Sequence, residues 1–255
     1  MAGSAGGVDA DGGLADRRSH PTEVVGPSDV LGLVPDLASM GVPAAARVGR
    51  PDPAAASPYA VEEAAVARAV PARRAEFLTA RALARAALSD LGVAPTGIAA
   101  RADRAPAWPP GIVGAITHTR GLCAVVVAAV AGGGSGIGVG IDAERDVVLD
   151  DAVIDRVLTS GEQDSLGARR RADAVVVFSA KEALFKALHP ATGVWLEPID
   201  VELVLRGEPT SGVVTVRSWA GALPGVRPAD VVGRWARFGP WVVTGFVLAP
   251  PGARR

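Results

Sequence analysis

Between Leu122 and Ile141 the chain runs for twenty residues without a charged side chain, and the form this run takes constrains everything around it. It is long enough for a membrane span, which needs about 20 apolar residues. Its second half, AGGGSGIGVG, is broken by glycines that cost a helix about 1 kcal/mol each relative to alanine, and its first half is β-branched rather than leucine-rich. Two buried strands joined by a glycine turn at residues 132–136 are therefore expected, and no membrane segment.

The flanking sequence supplies partners for these strands. Residues 60–69 and 74–91 read as helices, the second with Phe77, Leu83, Ala84, Ala87, Leu88 and Leu91 near 3.6-residue spacing and Gly92 as its stop. Strands are expected at residues 112–117, 122–131 and 137–144, forming a meander. Beyond them, capping-box spacings from Thr159 to Glu162 and from Ser160 to Gln163 open a short helix, followed by a longer one over residues 172–188 that Pro190 and Gly193 stop. Four more strands are expected at residues 201–206, 212–218, 234–238 and 241–248. Helices followed by antiparallel strands, twice over, predict an α+β fold of two similar halves, residues 23–145 and 146–255, after a disordered tail at residues 1–22.

The chain has 255 residues, enough to bury a core without disulfides, and its formal net charge is −1. That balance gives no drive toward nucleic acid or anionic lipid. One cysteine, Cys123, excludes an internal disulfide and a thiolate metal cluster and fits a reducing compartment. A cytoplasmic monomer is expected.

Candidate chemistry lies in three segments. In GIGVGIDAE, residues 136–144, alternation places Gly138, Gly140, Asp142 and Glu144 on one face of a strand, the glycines leaving room for a ligand or another backbone. The two acids suit a hard divalent cation, or are solvated residues at a strand end. In FSAKEALFKAL, residues 178–188, Glu182 and Lys186 share a helix face and Lys181 projects about 100° away. They form either a modest ion pair or a charged patch facing a cleft. Lys181 and Lys186 are also the only lysines among 26 basic residues, which suggests places where arginine does not substitute. His118, at the exit of the strand GAITHT, is a ligand contact or a structural histidine. Three adjacent cations, Arg169, Arg170 and Arg171, are either a docking patch for an acidic partner or a solvated run. The glycine run does not match G-x-G-x-x-G and leads into a strand, so no dinucleotide fingerprint is present.

ITHT, GIDAE and SAKEALFK, in this order and spacing, resemble the signature segments of the 4′-phosphopantetheinyl transferases, in their larger, pseudo-dimeric group acting on siderophore, polyketide and fatty-acid carrier proteins. The resemblance extends over about residues 58–248. It implies two α+β halves related by a pseudo-twofold, with coenzyme A in the cleft between them and transfer of its 4′-phosphopantetheine arm to a serine of an apo acyl or peptidyl carrier protein, releasing 3′,5′-ADP. By motif match it implies Mg²⁺ held by Asp142, Glu144 and Glu182, with Glu182 or a metal-bound water as base and Lys186 at the diphosphate. His118, flanked by the hydroxyl of Thr117, corresponds to a nucleotide phosphate contact. Arg73, Arg81 and Arg104 correspond to the basic residues at the 3′-phosphate and diphosphate, with Arg74 and Arg85 as competitors. The family's usual Ser-His-Ser or Ser-His-Cys here reads Thr117-His118-Thr119. The alternative is a degenerate homologue that binds coenzyme A or a carrier domain without catalysis.

Overall fold

The computed structural model of the chain describes residues 25–130, 136–221, 223 and 225–249. The tail expected at residues 1–22 and most of the expected glycine turn lie outside them. In chain order the elements are α1 (Pro27–Gly32), α2 (Asp36–Ser39), β1 (Ala44–Gly49), α3 (Ala60–Ala65), α4 (Pro71–Asp90), β2 (Ile112–Thr119), β3 (Leu122–Ala129) and β4 (Gly138–Arg145), followed by α5 (Asp151–Val157), α6 (Ser160–Leu166), α7 (Arg170–Thr192), β5 (Val201–Glu208), β6 (Ser211–Trp219), β7 (Val232–Phe238) and β8 (Trp241–Leu248). The fold is α+β, and no described helix is long and apolar enough to cross a membrane.

Two antiparallel sheets result, with strand orders β1-β3-β2 and β4-β8-β7-β6-β5. Central β3 explains the chargeless run. Its Val125 and Val127 pack against Ala84, Ala87 and Leu88 of α4. Its Ala124, Val126 and Ala128 join a cluster with Val30, Leu33 and Leu37 of the N-terminal segment, Val139, Ile141 and Ala143 of β4, and Val243 and Val247 of β8. A strand with two buried faces carries no polar alternation. On the far side, α7 packs Val176, Ala180, Ala183 and Leu184 against Leu203, Val214, Trp235 and Phe246 of the larger sheet.

The expected meander needs correction. β4 does not hydrogen-bond to β3; it pairs with β8, with Asp142 opposite Thr244. β8, the last described strand, is buried throughout, and it fills the β4 edge. A division at residues 145/146 therefore parts β4 from the strand it pairs with. The long helices also differ at their ends. α4 starts at Pro71, whose missing N–H costs nothing at the first helical position. α7 runs past Pro190 to Thr192 and ends where Gly193 turns left-handed, at φ 70°, and donates to the His189 carbonyl. Pro190 is tolerated there because only one helical bond, to the Lys186 carbonyl, is forfeited near the helix end.

Two short helices each carry a buried glutamate. Glu62 of α3 takes Arg85 of α4 and the backbone N–H of Ile98 at 2.9 Å. Glu162 of α6 takes Lys181 of α7 at 2.7 Å and the backbone N–H of Leu203 at 2.7 Å. Glu162 also completes the expected capping box, accepting from the Thr159 N–H at 2.8 Å while its own N–H donates to Thr159 Oγ1 at 3.2 Å.

Candidate active site

The site is built where α7 crosses β4. A Cβ on Gly140 would lie 1.9 Å from the Ala183 carbonyl oxygen, and one on Gly138 would lie 2.1 Å from that of Ala187. The two glycines thus admit the helix backbone onto the strand, and the face they share with Asp142 is the one α7 covers. This close approach carries Lys186 to Asp142: its Nζ donates to Oδ1 at 2.6 Å. Of the two readings of Glu182 and Lys186, the structure shows the charged patch facing a cleft: both line it, and Lys186 pairs with Asp142.

Asp142 is almost fully buried and has a second neighbour. Thr117 Oγ1 donates to its Oδ1 at 3.1 Å and accepts the Ala143 N–H at 3.0 Å. Thr117 was expected beside a phosphate; the structure turns its hydroxyl inward, because alternation along β2 puts His118 on the cleft side and Thr117 toward β4. The other oxygen, Asp142 Oδ2, is buried without a hydrogen-bond partner. Burial, and the Asp142 charge after it, push Glu144 up to about 7 and raise Glu182 above the usual carboxylate range, with Lys186 opposing both.

Three acids against one lysine leave a shortage of positive charge. Among the described residues no three His, Cys, Asp or Glu side chains are gathered closely enough to hold an ion by themselves. Mg²⁺ takes one or two carboxylates and completes its shell with water and phosphate oxygens. The unpartnered Asp142 oxygen and the hard donor set fit such an ion shared with a phosphate ligand.

A cleft of about 570 Å³ is lined by Lys186 and Glu182 together with Arg73, Arg81, Arg104 and His118. Asp142 and Glu144 are not on its surface; Lys186 stands in front of Asp142. Arg73 Nη1 donates to His118 Nε2, and Glu76 Oε2 lies 3.3 Å from Nδ1. Arg73 Nη1 lies 3.3 Å from Nδ1 as well, so the guanidinium contacts both ring nitrogens. Burial, then the Arg73 charge, hold the ring's pKa below the ordinary histidine value. Glu76 is a site residue the sequence reading missed; its spacing three residues after Arg73 on one helix was the available signal.

The arginines separate cleanly. Arg81 is buried, donates Nε to the Ile98 carbonyl at 2.9 Å and lies over the Phe77 ring at 4.4 Å, and burial lowers its pKa to about 10. Arg104 reaches the cleft from a tight loop and is the one non-glycine with positive φ, 68°, among the described residues. Arg74 and Arg85 are spent on Glu63 and Glu62 and are absent from the cleft wall. Lys181 is wholly structural: its three protons go to the Val157 carbonyl at 2.7 Å, Glu162 at 2.7 Å and the Pro198 carbonyl at 2.8 Å. Arg169 pairs with Asp173, while Arg170 and Arg171 share Asp151, so each cation of the basic run has an acid of its own chain beside it.

The model of the 4′-phosphopantetheinyl transferase N-terminal domain matches residues 61–128, and that of the 4′-phosphopantetheinyl transferase superfamily matches residues 138–222. The chain is 39% identical over 168 residues to the 4′-phosphopantetheinyl transferase Svp of Streptomyces mobaraensis, covering 63% of this chain and 66% of that one. It is 38% identical over 108 residues to Npt of Nocardia iowensis, covering 42% and 47%. Against PptT of Mycobacterium tuberculosis it is 34% identical over 166 residues, covering 62% and 71%. The chain thus spans just under two thirds of the first of these relatives and about half of the second.

Proposed function

Since the chain belongs to the 4′-phosphopantetheinyl transferase family, we propose that it moves the 4′-phosphopantetheine arm of coenzyme A onto a serine of an apo acyl or peptidyl carrier protein, serving polyketide or siderophore biosynthesis as a cytoplasmic monomer. The observation that carries the reading is Lys186, held at Asp142 in a cleft that is also lined by Arg73, Arg81, Arg104 and His118. The two buried glutamates, each taking a cation from the next long helix and a backbone N–H from a later segment, support the pseudo-twofold relation of the halves.

In the reaction the serine Oγ bonds to the β-phosphorus, the bond from that phosphorus to the bridging oxygen breaks, and 3′,5′-ADP leaves. Such a transfer is mostly positioning and charge neutralisation. The arginines hold the phosphates through forked donors, and His118 contacts the nucleotide phosphate. Asp142, Glu144 and Glu182 would hold Mg²⁺, which when bound neutralises charge on the diphosphate. Glu182 takes the serine proton, a task helped by the burial and the Asp142 charge that raise its carboxyl. Lys186 neutralises or protonates the leaving oxygen.

Mass spectrometry of several apo carrier proteins, incubated with this protein, coenzyme A and Mg²⁺, tests the reading. One phosphopantetheine added to a specific serine is expected. Tight binding of coenzyme A with no mass gain on any carrier would refute turnover and leave binding alone.

A further inference from the structure

Arg104 poses a physical question. A non-glycine residue in the left-handed region is strained and persists only when its surroundings over-determine it. Local hydrogen bonds supply part of the restraint: the Arg104 N–H donates to the Arg101 carbonyl at 2.9 Å, and the Arg101 N–H donates to the Ala105 carbonyl at 2.8 Å. Asp103 supplies the rest. Its Oδ1 accepts the Ala105 N–H at 3.0 Å, and its Oδ2 faces His189 Nε2 at 3.3 Å and Arg101 Nε at 3.7 Å.

His189 belongs to the last turn of α7, one turn beyond Lys186, and is itself fixed on three sides. Nδ1 faces the Val194 carbonyl at 3.1 Å, the ring stacks on Phe185 with centroids 5.0 Å apart, and Trp195 meets it edge-on at 5.6 Å. The contact with Asp103 therefore joins the end of the helix that carries Glu182 and Lys186 to the loop that carries Arg104. Asp103, Arg104, Glu182, Lys186 and His189 line the same cleft.

We infer that His189 and Asp103 form a positioning clasp: His189 orients the Asp103 carboxylate, which holds the loop at residues 101–105 in the strained form that aims Arg104 at the phosphate end of the ligand. The link to phosphate discrimination rests on the coenzyme A reading; the clasp itself does not. Its consequence is that Arg104 contributes affinity only while α7 sits in its closed place on β4.

Two substitutions separate the clasp from packing. His189→Phe keeps the stack on Phe185 and loses the N–H; His189→Gln keeps an N–H for Asp103 and loses the stack. Without any ligand, hydrogen exchange at the Ala105 amide is expected to quicken roughly tenfold in His189→Phe, the scale of one lost charge-assisted bond, and to stay near wild type in His189→Gln. With ligand, calorimetry should show the preference for coenzyme A over dephospho-coenzyme A, which lacks the 3′-phosphate, narrowing in His189→Phe. Asp103→Ala combined with His189→Phe should narrow it no further. Faster exchange in His189→Gln but not in His189→Phe would assign His189 to packing and overturn the clasp. A quickened loop together with an unchanged preference would overturn the discrimination role. A wild-type chain that binds neither coenzyme would overturn the functional reading instead, with the ligand-free exchange result standing separately.

Discussion

Gly140→Ala tests the contact that assembles the site. The added carbon would sit 1.9 Å from the Ala183 carbonyl oxygen and 2.7 Å from the Ala187 nitrogen. A carbon–oxygen contact of this kind settles at about 3.3 Å, a shortfall of about 1.4 Å. The obstructing atoms are helix backbone, so no rotamer change relieves them and α7 must withdraw. Overpacking of a close-packed interior costs about 1–3 kcal/mol, and this site belongs at the upper end. Gly140 is not in the left-handed region, so nothing else opposes alanine, and a smaller unfolded-state entropy would favour it by about 0.4–1 kcal/mol. The expected net loss is therefore about 2 kcal/mol. Withdrawal also stretches the 2.6 Å Lys186–Asp142 contact, and misplacement by about 1 Å can cost a hundredfold in rate. Urea denaturation reads the first effect and transfer to an apo carrier the second. Gly32→Ala, where the added carbon meets nothing within 4 Å, is the control and should be neutral or stabilising. If Gly140→Ala melts with the wild type and turns over normally, the close-approach argument is wrong.

Other expectations follow from the same geometry. Asp142→Ala should abolish transfer while circular dichroism stays native, since the apolar face of β4 is untouched; normal rates at limiting Mg²⁺ would reject the assignment. Lys186→Arg should lower kcat more than roughly tenfold with a smaller change in coenzyme A affinity, because a planar fork that does not deprotonate replaces a compact ammonium; near-normal kcat would leave charge as its only role. Lys181→Ala should destabilise the fold by about 3–5 kcal/mol by stranding Glu162, seen as a lower urea midpoint, and a loss under about 1 kcal/mol would contradict the buried pair. The depressed pKa of His118 means the unfolded chain takes up its proton first, so the stability tied to this ring is present above the ordinary histidine range and lost as pH falls through the folded value. Wild type should therefore lose more stability than His118→Gln between pH 7.5 and 5, and equal losses would refute it.

Much of this was legible where local chemistry decides. Two-sided burial showed in the chargeless β3, the capping box of α6 in Thr159 and Glu162, and the shared face of Gly138, Gly140 and Asp142 in strict alternation. Non-local choices were not legible. That β4 would pair with β8 depends on a strand about 100 residues downstream, and the glycine face alone did not say whether a ligand or a helix would fill it. Short elements also escaped: α1 has six residues and α2 four, too few for a helical period, and β1 begins with three alanines, which favour no strand. The three bonds of Lys181 show why arginine is unsuited there, since a rigid planar fork does not reproduce a tetrahedral set of donors.

The knot at Glu162 also restricts how this sequence can change. One carboxylate closes the start of α6, receives Lys181 and takes the Leu203 N–H. An apolar pair could replace Glu162 and Lys181 with little net loss once both had changed. Every single-step route there passes through a chain with one buried charge stranded, at a cost of about 3–5 kcal/mol out of a total stability of about 5–15 kcal/mol. Descendants of this sequence should therefore keep both residues or exchange both, with few survivors in between.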